Sequence, residues 1–180
     1  MIFSLLVFII IIFDNNVIHP QAFTILITCF IFSNLLPIIT LLFLQKKGVI
    51  SDLDASIREE RIMPLFLGVV FAIFGYLLLH IQEAGMLVRG LMFCTITNTL
   101  VIIIITRYWK ISIHTMGISG LLSVLWIHSK EYLFIMFVIL FFVAYSRVIL
   151  KAHNIPQVTT GSLLGLILTL IQIHFLFVQI

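Results

Sequence analysis

Charge is what this sequence has least of. Its 180 residues include ten basic and seven acidic side chains, 9% of the total, against roughly 25% in an ordinary soluble domain. So few charges cannot cover the surface of a soluble protein of this length, which excludes a soluble enzyme. An intrinsically disordered chain is excluded as well, because it needs low hydrophobicity. Cysteine is nearly as scarce: Cys29 and Cys94 are the only two. Both lie in apolar stretches, so a disulfide scaffold is excluded. No CxxC or Cys/His pair has metal spacing, so no zinc site, and no metal site of any kind, is expected. No glycine-rich nucleotide loop, nucleic-acid motif or internal repeat of 20–50 residues is evident.

What is present in quantity is apolar. Hydrophobic residues make up 62% of the chain and the mean hydropathy is +1.28. These values describe a polytopic membrane protein. A membrane-crossing helix needs about 20 mostly apolar residues, and six runs meet or approach that length: about 22–44, 63–82, 88–106, 111–128, 131–147 and 156–178. The runs are continuous rather than alternating, which favours helices over a barrel. The expected fold is therefore an all-α transmembrane bundle of about six spans, forming a single integral membrane domain over 1–180. The run 2–13 is too short to cross. It reads as a half-span, a re-entrant segment or an interfacial helix, and it lacks the basic start and small-residue cleavage site of a secretory signal.

Two runs carry internal marks. Pro37 removes a backbone donor and, with Asn34 nearby, predicts a kink near residue 33. Gly161 and Gly165 form a GxxxG, which predicts close packing of the last helix. Trp109, Trp126, Tyr108 and Tyr132 fall near span ends and read as interfacial anchors. His19 and His128 lie near loops on one side, and His80 and His174 near span ends. None of the four has a motif around it.

The few charges are unequally placed. The connections after runs 22–44, 88–106 and 131–147 share one side of the membrane and hold Lys46, Lys47, Arg58, Arg61, Arg107, Lys110, Arg147 and Lys151, against Asp52, Asp54, Glu59 and Glu60, a net +4. The other side holds Arg89 and Lys130 against Asp14, Glu83 and Glu131, a net −1. The positive-inside rule assigns the basic side to the cytoplasm. The same arginines also suit an anion site, and the two readings are compatible. The expected location is a bacterial inner membrane, with the basic face cytoplasmic.

Three clusters on that face carry chemistry. In 51–64, Arg58 and Arg61 are three apart and share a helical face, from which two guanidinium forks can grip one phosphate. The plainer reading is a solvated, salt-bridged loop. In 109–117, Ser112 suits a helix cap with His114 in the first turn, beside amides that favour anions. In 146–157, Arg147 and His153 precede Pro156, which suits a first helical turn, and Gln157 lies four residues past His153, where it can orient the imidazole. Together these residues supply a nucleophile, an acid for a leaving oxygen and positive groups for phosphate oxygens, the parts that phosphoryl transfer requires.

These residues resemble signatures of the type 2 phosphatidic acid phosphatase (PAP2) superfamily. Ser146-Arg147, five residues, then His153 matches its SRx5H motif. Ser112-x-His114 is similar to its PSGH motif, and Arg58 to Pro64 to its basic K…RP motif. The resemblance covers about 50–165. It implies a metal-independent lipid phosphatase without a cofactor. In that scheme His153 is the nucleophile that forms a phosphohistidine, and His114 is the general acid. Arg147, Arg61 and Arg58 bind phosphate, and Ser112 donates a hydrogen bond. Several positions depart from the family pattern. Asp54 stands where the family has lysine, leaving Arg58 or Lys110 as replacement phosphate ligands. Ile111 and Ile113 replace proline and glycine. Gln157 stands where the family has an aspartate partner for the nucleophile, and Asp52 or Asp54 is a candidate to supply that carboxylate through space. The implied partners are the bilayer and a lipid phosphate of the polyprenyl diphosphate, phosphatidate or phosphatidylglycerophosphate class, and not nucleic acid. A homodimer is left open. Two other readings stand beside this one: a degenerate homologue that binds or transports anionic lipid, and a magnesium-dependent prenyltransferase-like protein using Asp52-x-Asp54.

Overall fold

The computed structural model describes residues 2–13, 20–128 and 130–177. Asp14 and His19 lie outside them. The described residues are helical and form no strand. The order is α1 (Ile2–Phe13), α2 (Ala22–Phe30), a π-helical turn (Ile31–Leu35), α3 (Leu36–Lys46), α4 (Ile62–Ile81), α5 (Met86–Thr106), α6 (Ile113–His128), α7 (Leu133–Ile149) and α8 (Ile155–Leu176). The α2–π–α3 segment is one continuous rod. Large apolar side chains point outward all around the bundle, among them Phe66, Ile104, Phe134 and Phe142. That surface is stable only in lipid, so the chain is an integral membrane protein.

Five helical segments are long and apolar enough to cross a membrane: Ala22–Lys46, Glu59–Ile81, Met86–Thr106, Lys130–Ile149 and Ile155–Leu176. The expected sixth span, 111–128, is shorter than its apolar run. Helix α6 has 16 residues, about 24 Å at 1.5 Å per residue, less than the roughly 30 Å of a bilayer's hydrocarbon core. It is shortened because Ile111 and Ser112 leave the helix, and the Ser112 amide donates to the Gln157 carbonyl at the start of α8 (3.3 Å). It is also enclosed: α6 packs on α1, α5, α7 and α8, and Thr115, Ser119, Val124 and Leu125 are essentially inaccessible. A helix surrounded by protein has no lipid thickness to match.

Close packing of α6 on α8 depends on glycine. A Cβ on Gly161 would lie 2.7 Å from the Ser112 carbonyl oxygen, and one on Gly165 would collide with the Met116 carbonyl and the Ser119 hydroxyl. This is the small-residue contact that the GxxxG pattern predicted. Polar side chains tie α5 to α8 inside the bundle. Asn98 donates to Thr169 (2.9 Å), Gln172 to Asn98 (3.2 Å) and Thr97 to Gln172 (2.5 Å).

Where a kink is expected, near residue 33, the helix makes a π turn. Pro37 cannot bond to the Ser33 carbonyl, and the wider turn before it absorbs the lost bond. Buried Asn34 sits in that turn and is held by Ser4 of α1 (3.3 Å) and by Ser33 (2.8 Å). Helix α1 spans 12 residues and lays Val7, Phe8, Ile11 and Ile12 into the core against α2, α5 and α6. It is a half-length helix embedded in the bundle. His80 is engaged by Arg89 (3.1 Å), and His174 packs edge-on against Phe175.

Candidate functional site

The connections 47–61, 107–112 and 150–154 meet at one end of the bundle. Their convergence follows from named bonds. Arg61 donates to the Ala55 carbonyl (2.7 Å) and to the Ile111 carbonyl (3.1 Å). Arg58 donates to the Tyr108 carbonyl (3.3 Å) and pairs with Glu59 (2.9 Å). The Ser112–Gln157 backbone bond joins the second connection to the start of α8. All three clusters that the sequence marked are therefore brought together.

The first connection is tied down along its length. Glu60 accepts from the amide and hydroxyl of Ser51 (2.7 and 2.8 Å), and Asp52 accepts from the Ser56 amide (3.2 Å). Ala55 adopts a left-handed backbone at φ 45°, an uncommon state for a residue with a Cβ. It is held there by its amide on the Asp52 carbonyl (3.0 Å) and by Arg61 on its own carbonyl.

These contacts give the first arginine pair partners within the chain. Arg58 and Arg61 do share a face, but that face grips the backbone of 108–111. Arg61 is 4% exposed with its fork on two carbonyls, so it ties the first connection to the second. Arg58 lies at the exposed rim. Lys110 is half-buried, and its ammonium is held below the usual lysine value by burial and by Arg61, with Asp52 opposing.

His153 is the most confined of the expected groups, at 7% exposure. It sits in the turn between α7 and α8, and its amide donates to the Arg147 carbonyl (3.1 Å). Helix α8 opens with a capping box that the sequence reading did not single out. The Asn154 side chain accepts from the Gln157 amide (3.0 Å), and Gln157 Oε1 accepts from the Asn154 amide (3.1 Å). Asparagine followed three residues later by glutamine, ahead of an apolar run, was the available signal.

That box also fixes the His153 tautomer. Gln157 Oε1 lies 3.2 Å from His153 Nδ1. Because the same oxygen accepts from the Asn154 amide, it is the carbonyl end of the side chain, and Nδ1 must be the donor. The lone pair is then on Nε2. Burial first, then the charge of Arg61, pushes the imidazole's pKa down to about 4; Lys110 and His114 add to the effect and the Gln157 bond opposes it. His153 is therefore a neutral base near pH 7.

Neither Asp52 nor Asp54 reaches His153, so neither supplies it with a carboxylate. Asp52 is engaged by the Ser56 amide. Asp54 lies on Arg147 and beside His114: Oδ2 is 2.8 Å from Arg147 Nη1, and Oδ1 is 3.7 Å from His114 Nε2. Burial alone would raise the Asp54 carboxyl, but the Arg147 hydrogen bond and the charges of Arg147, His114 and Arg61 outweigh it and hold it below its ordinary value. Arg147 Nε is buried and has no hydrogen-bond partner among the described residues. Ser112 is fully buried, with its hydroxyl 3.5 Å from the Thr115 amide at the start of α6. Among the described residues, no three histidine, cysteine or acidic side chains gather as metal ligands would.

The arrangement thus offers a neutral histidine with a free Nε2, a second, half-exposed histidine, an arginine with donor capacity left over, and a lysine. Such a set can bind a tetrahedral anion and transfer a group to nitrogen. The chain matches no family model, no curated protein and no solved structure.

Proposed function

We propose that this protein is a metal-independent phosphatase of the type 2 phosphatidic acid phosphatase kind, hydrolysing a phosphate monoester or diphosphate of a membrane lipid. The observation that carries the reading is His153: a buried imidazole whose Nδ1–H is held by Gln157, whose Nε2 keeps its lone pair, and whose pKa lies far below neutrality. Nε2 attacks phosphorus and the bond from phosphorus to the leaving oxygen breaks. His114, whose pKa burial and Arg147 hold at about 4 before substrate binds, gains its proton as the substrate's negative charge arrives. It delivers that proton to the leaving oxygen, releasing the lipid alcohol from a monoester or the lipid monophosphate from a diphosphate. Water then attacks the phosphohistidine, returning a proton to His114 and freeing inorganic phosphate. Arg147 and Lys110 hold the phosphate oxygens through the transfer. The site faces the cytoplasm, on the basic side of the bundle. The test is release of phosphate from polyprenyl diphosphate, phosphatidate and phosphatidylglycerophosphate by the purified protein with EDTA present, compared with His153→Ala.

A second reading, binding of anionic lipid without turnover, is favoured by one observation: Asp54 lies on Arg147 where the family carries a lysine. Phosphatidate binding at a site that never releases phosphate from any lipid on that panel would select it.

A further inference from the structure

The candidate site already contains an anion, supplied by the chain itself. Both oxygens of Asp54 face the groups that a phosphate would use, Arg147 Nη1 at 2.8 Å and His114 Nε2 at 3.7 Å. We propose that Asp54 is a resident counter-anion occupying the phosphate seat, and that a phosphate group binds there only by displacing it. This inference rests on the phosphatase reading of the same site.

Three features separate Asp54 from an ordinary loop salt bridge. The connection that carries it is secured by its neighbours, through Ser51 on Glu60, Asp52 on Ser56, and Ala55 on Arg61. The Asp54 carboxylate is not needed to shape it. The side chain is also 52% exposed, so it can swing into water without leaving a cavity, and the arriving phosphate takes over the charge of Arg147, which is 18% exposed. Finally, the carboxylate uses Arg147 incompletely. Nη1 is taken, while Nε stays buried without a partner. A guanidinium binds a carboxylate or phosphate best through two parallel N–H groups. A phosphate brings enough oxygens to take the end-on pair Nη1 and Nη2 and still reach His114, whereas the Asp54 carboxylate takes Nη1 alone.

The seat therefore has a selectivity. An incoming group must outcompete a tethered monoanion for Arg147. A terminal phosphate, which approaches two negative charges and presents three free oxygens, can do so. A phosphodiester has one charge and two free oxygens, and has no such advantage. Asp54 thus biases the site toward lipids ending in a phosphate monoester or diphosphate and against diester phospholipids, which surround any membrane protein in large excess. A seat left open to diesters would be occupied by bulk lipid.

The experiment compares the detergent-solubilised full chain with Asp54→Asn and Asp54→Ser, two variants of an exposed side chain, so that one can serve if the other does not fold. Binding is measured calorimetrically for inorganic phosphate and for mixed micelles carrying phosphatidate or phosphatidylglycerol with the same acyl chains. Removing the carboxylate is expected to tighten inorganic phosphate about tenfold, equivalent to about 1.4 kcal/mol, and to reduce the preference for phosphatidate over phosphatidylglycerol. Tightening for phosphatidate as well as free phosphate assigns the seat to the lipid headgroup; tightening for free phosphate alone assigns it to the released product. Unchanged or weaker binding in a folded variant overturns the seat. If the wild-type protein meanwhile releases phosphate from lipid, the phosphatase reading survives that result. If folded wild-type and variant proteins bind neither phosphate nor phosphatidate, both readings fail together.

Discussion

Replacing Arg61 with alanine separates the two roles that this residue can have. As a phosphate ligand, Arg61 would be dispensable for folding and its loss would weaken substrate binding. As placed, its guanidinium is buried and donates to the carbonyls of Ala55 and Ile111. Both of those residues are buried too, at 5% and 0% exposure. Each carbonyl deprived of its donor costs about 1–3 kcal/mol. Part of that is offset because the variant no longer buries a guanidinium, which leaves a net loss of about 2–4 kcal/mol. For a domain of this size each kcal/mol moves the midpoint by about 2–4 °C, so Arg61→Ala should melt roughly 5–15 °C below wild type. Arg61→Lys keeps the charge but has no rigid fork to reach both carbonyls, and should fall between the two. The assay is thermal unfolding of the detergent-purified protein with and without inorganic phosphate. If Arg61→Ala melts with wild type but loses the stabilisation that phosphate gives, Arg61 is a ligand, and the assignment of Arg61 as a tie between the loops is wrong.

Five further outcomes follow from the same geometry. Gly165→Ala places a methyl group against the Met116 carbonyl and Ser119, so α6 and α8 must separate; overpacking of this kind costs about 1–3 kcal/mol, and a midpoint within 1 °C of wild type, by the same conversion about a quarter to a half kcal/mol, would contradict the contact. Because His153 must be neutral to attack and its pKa lies at about 4, the acid limb of activity should lie near 4 rather than near the ordinary histidine value of 6.5, while the basic limb belongs to His114, the proton donor, also held at about 4 before substrate binds; an acid limb at 6–7 would mean that the nucleophile is not the buried His153. The same depressed pKa makes the unfolded chain take up this proton first, so His153 removes stability as pH falls from about 6.5 to about 4 and no further below that. Gln157→Leu loses both the α8 cap and the bond that fixes the tautomer; it should lower stability by about 1 kcal/mol and reduce turnover on the order of a hundredfold, whereas a change in stability alone would reduce Gln157 to a cap. For sidedness, Tyr108→Cys provides an 80% exposed thiol at the site end, against native Cys29 and Cys94 at 0% and 1%; an impermeant maleimide should label it only from the cytoplasmic side, and labelling from outside would invert the proposed orientation.

Much of the bundle could be read from the sequence because lipid imposes a simple length rule on apolar runs, and five of the six runs became helices long enough to span. The rule failed at 111–128, where apolarity reflects enclosure by other helices rather than contact with lipid. Gly161 and Gly165 were legible because a small-residue pair at that spacing has few other uses. The candidate site was only half legible. Sequence spacing correctly put Arg58 and Arg61 on one face and Gln157 within reach of His153. It could not tell what that arginine face would meet, since backbone carbonyls leave no mark in a sequence and 108–111 supplied two of them. Nor could it place Asp54, which lies 93 residues from Arg147 along the chain and meets it only because three separate connections close over one end of the bundle.

The most direct test of the central claim is phosphate release from lipid phosphates by the purified wild-type protein and by His153→Ala, both in EDTA. The account predicts steady release by wild type, none above background by the variant, and acid-labile phosphate trapped on wild type alone. Full activity in His153→Ala, or the absence of release from any terminal lipid phosphate by folded wild type, would contradict it.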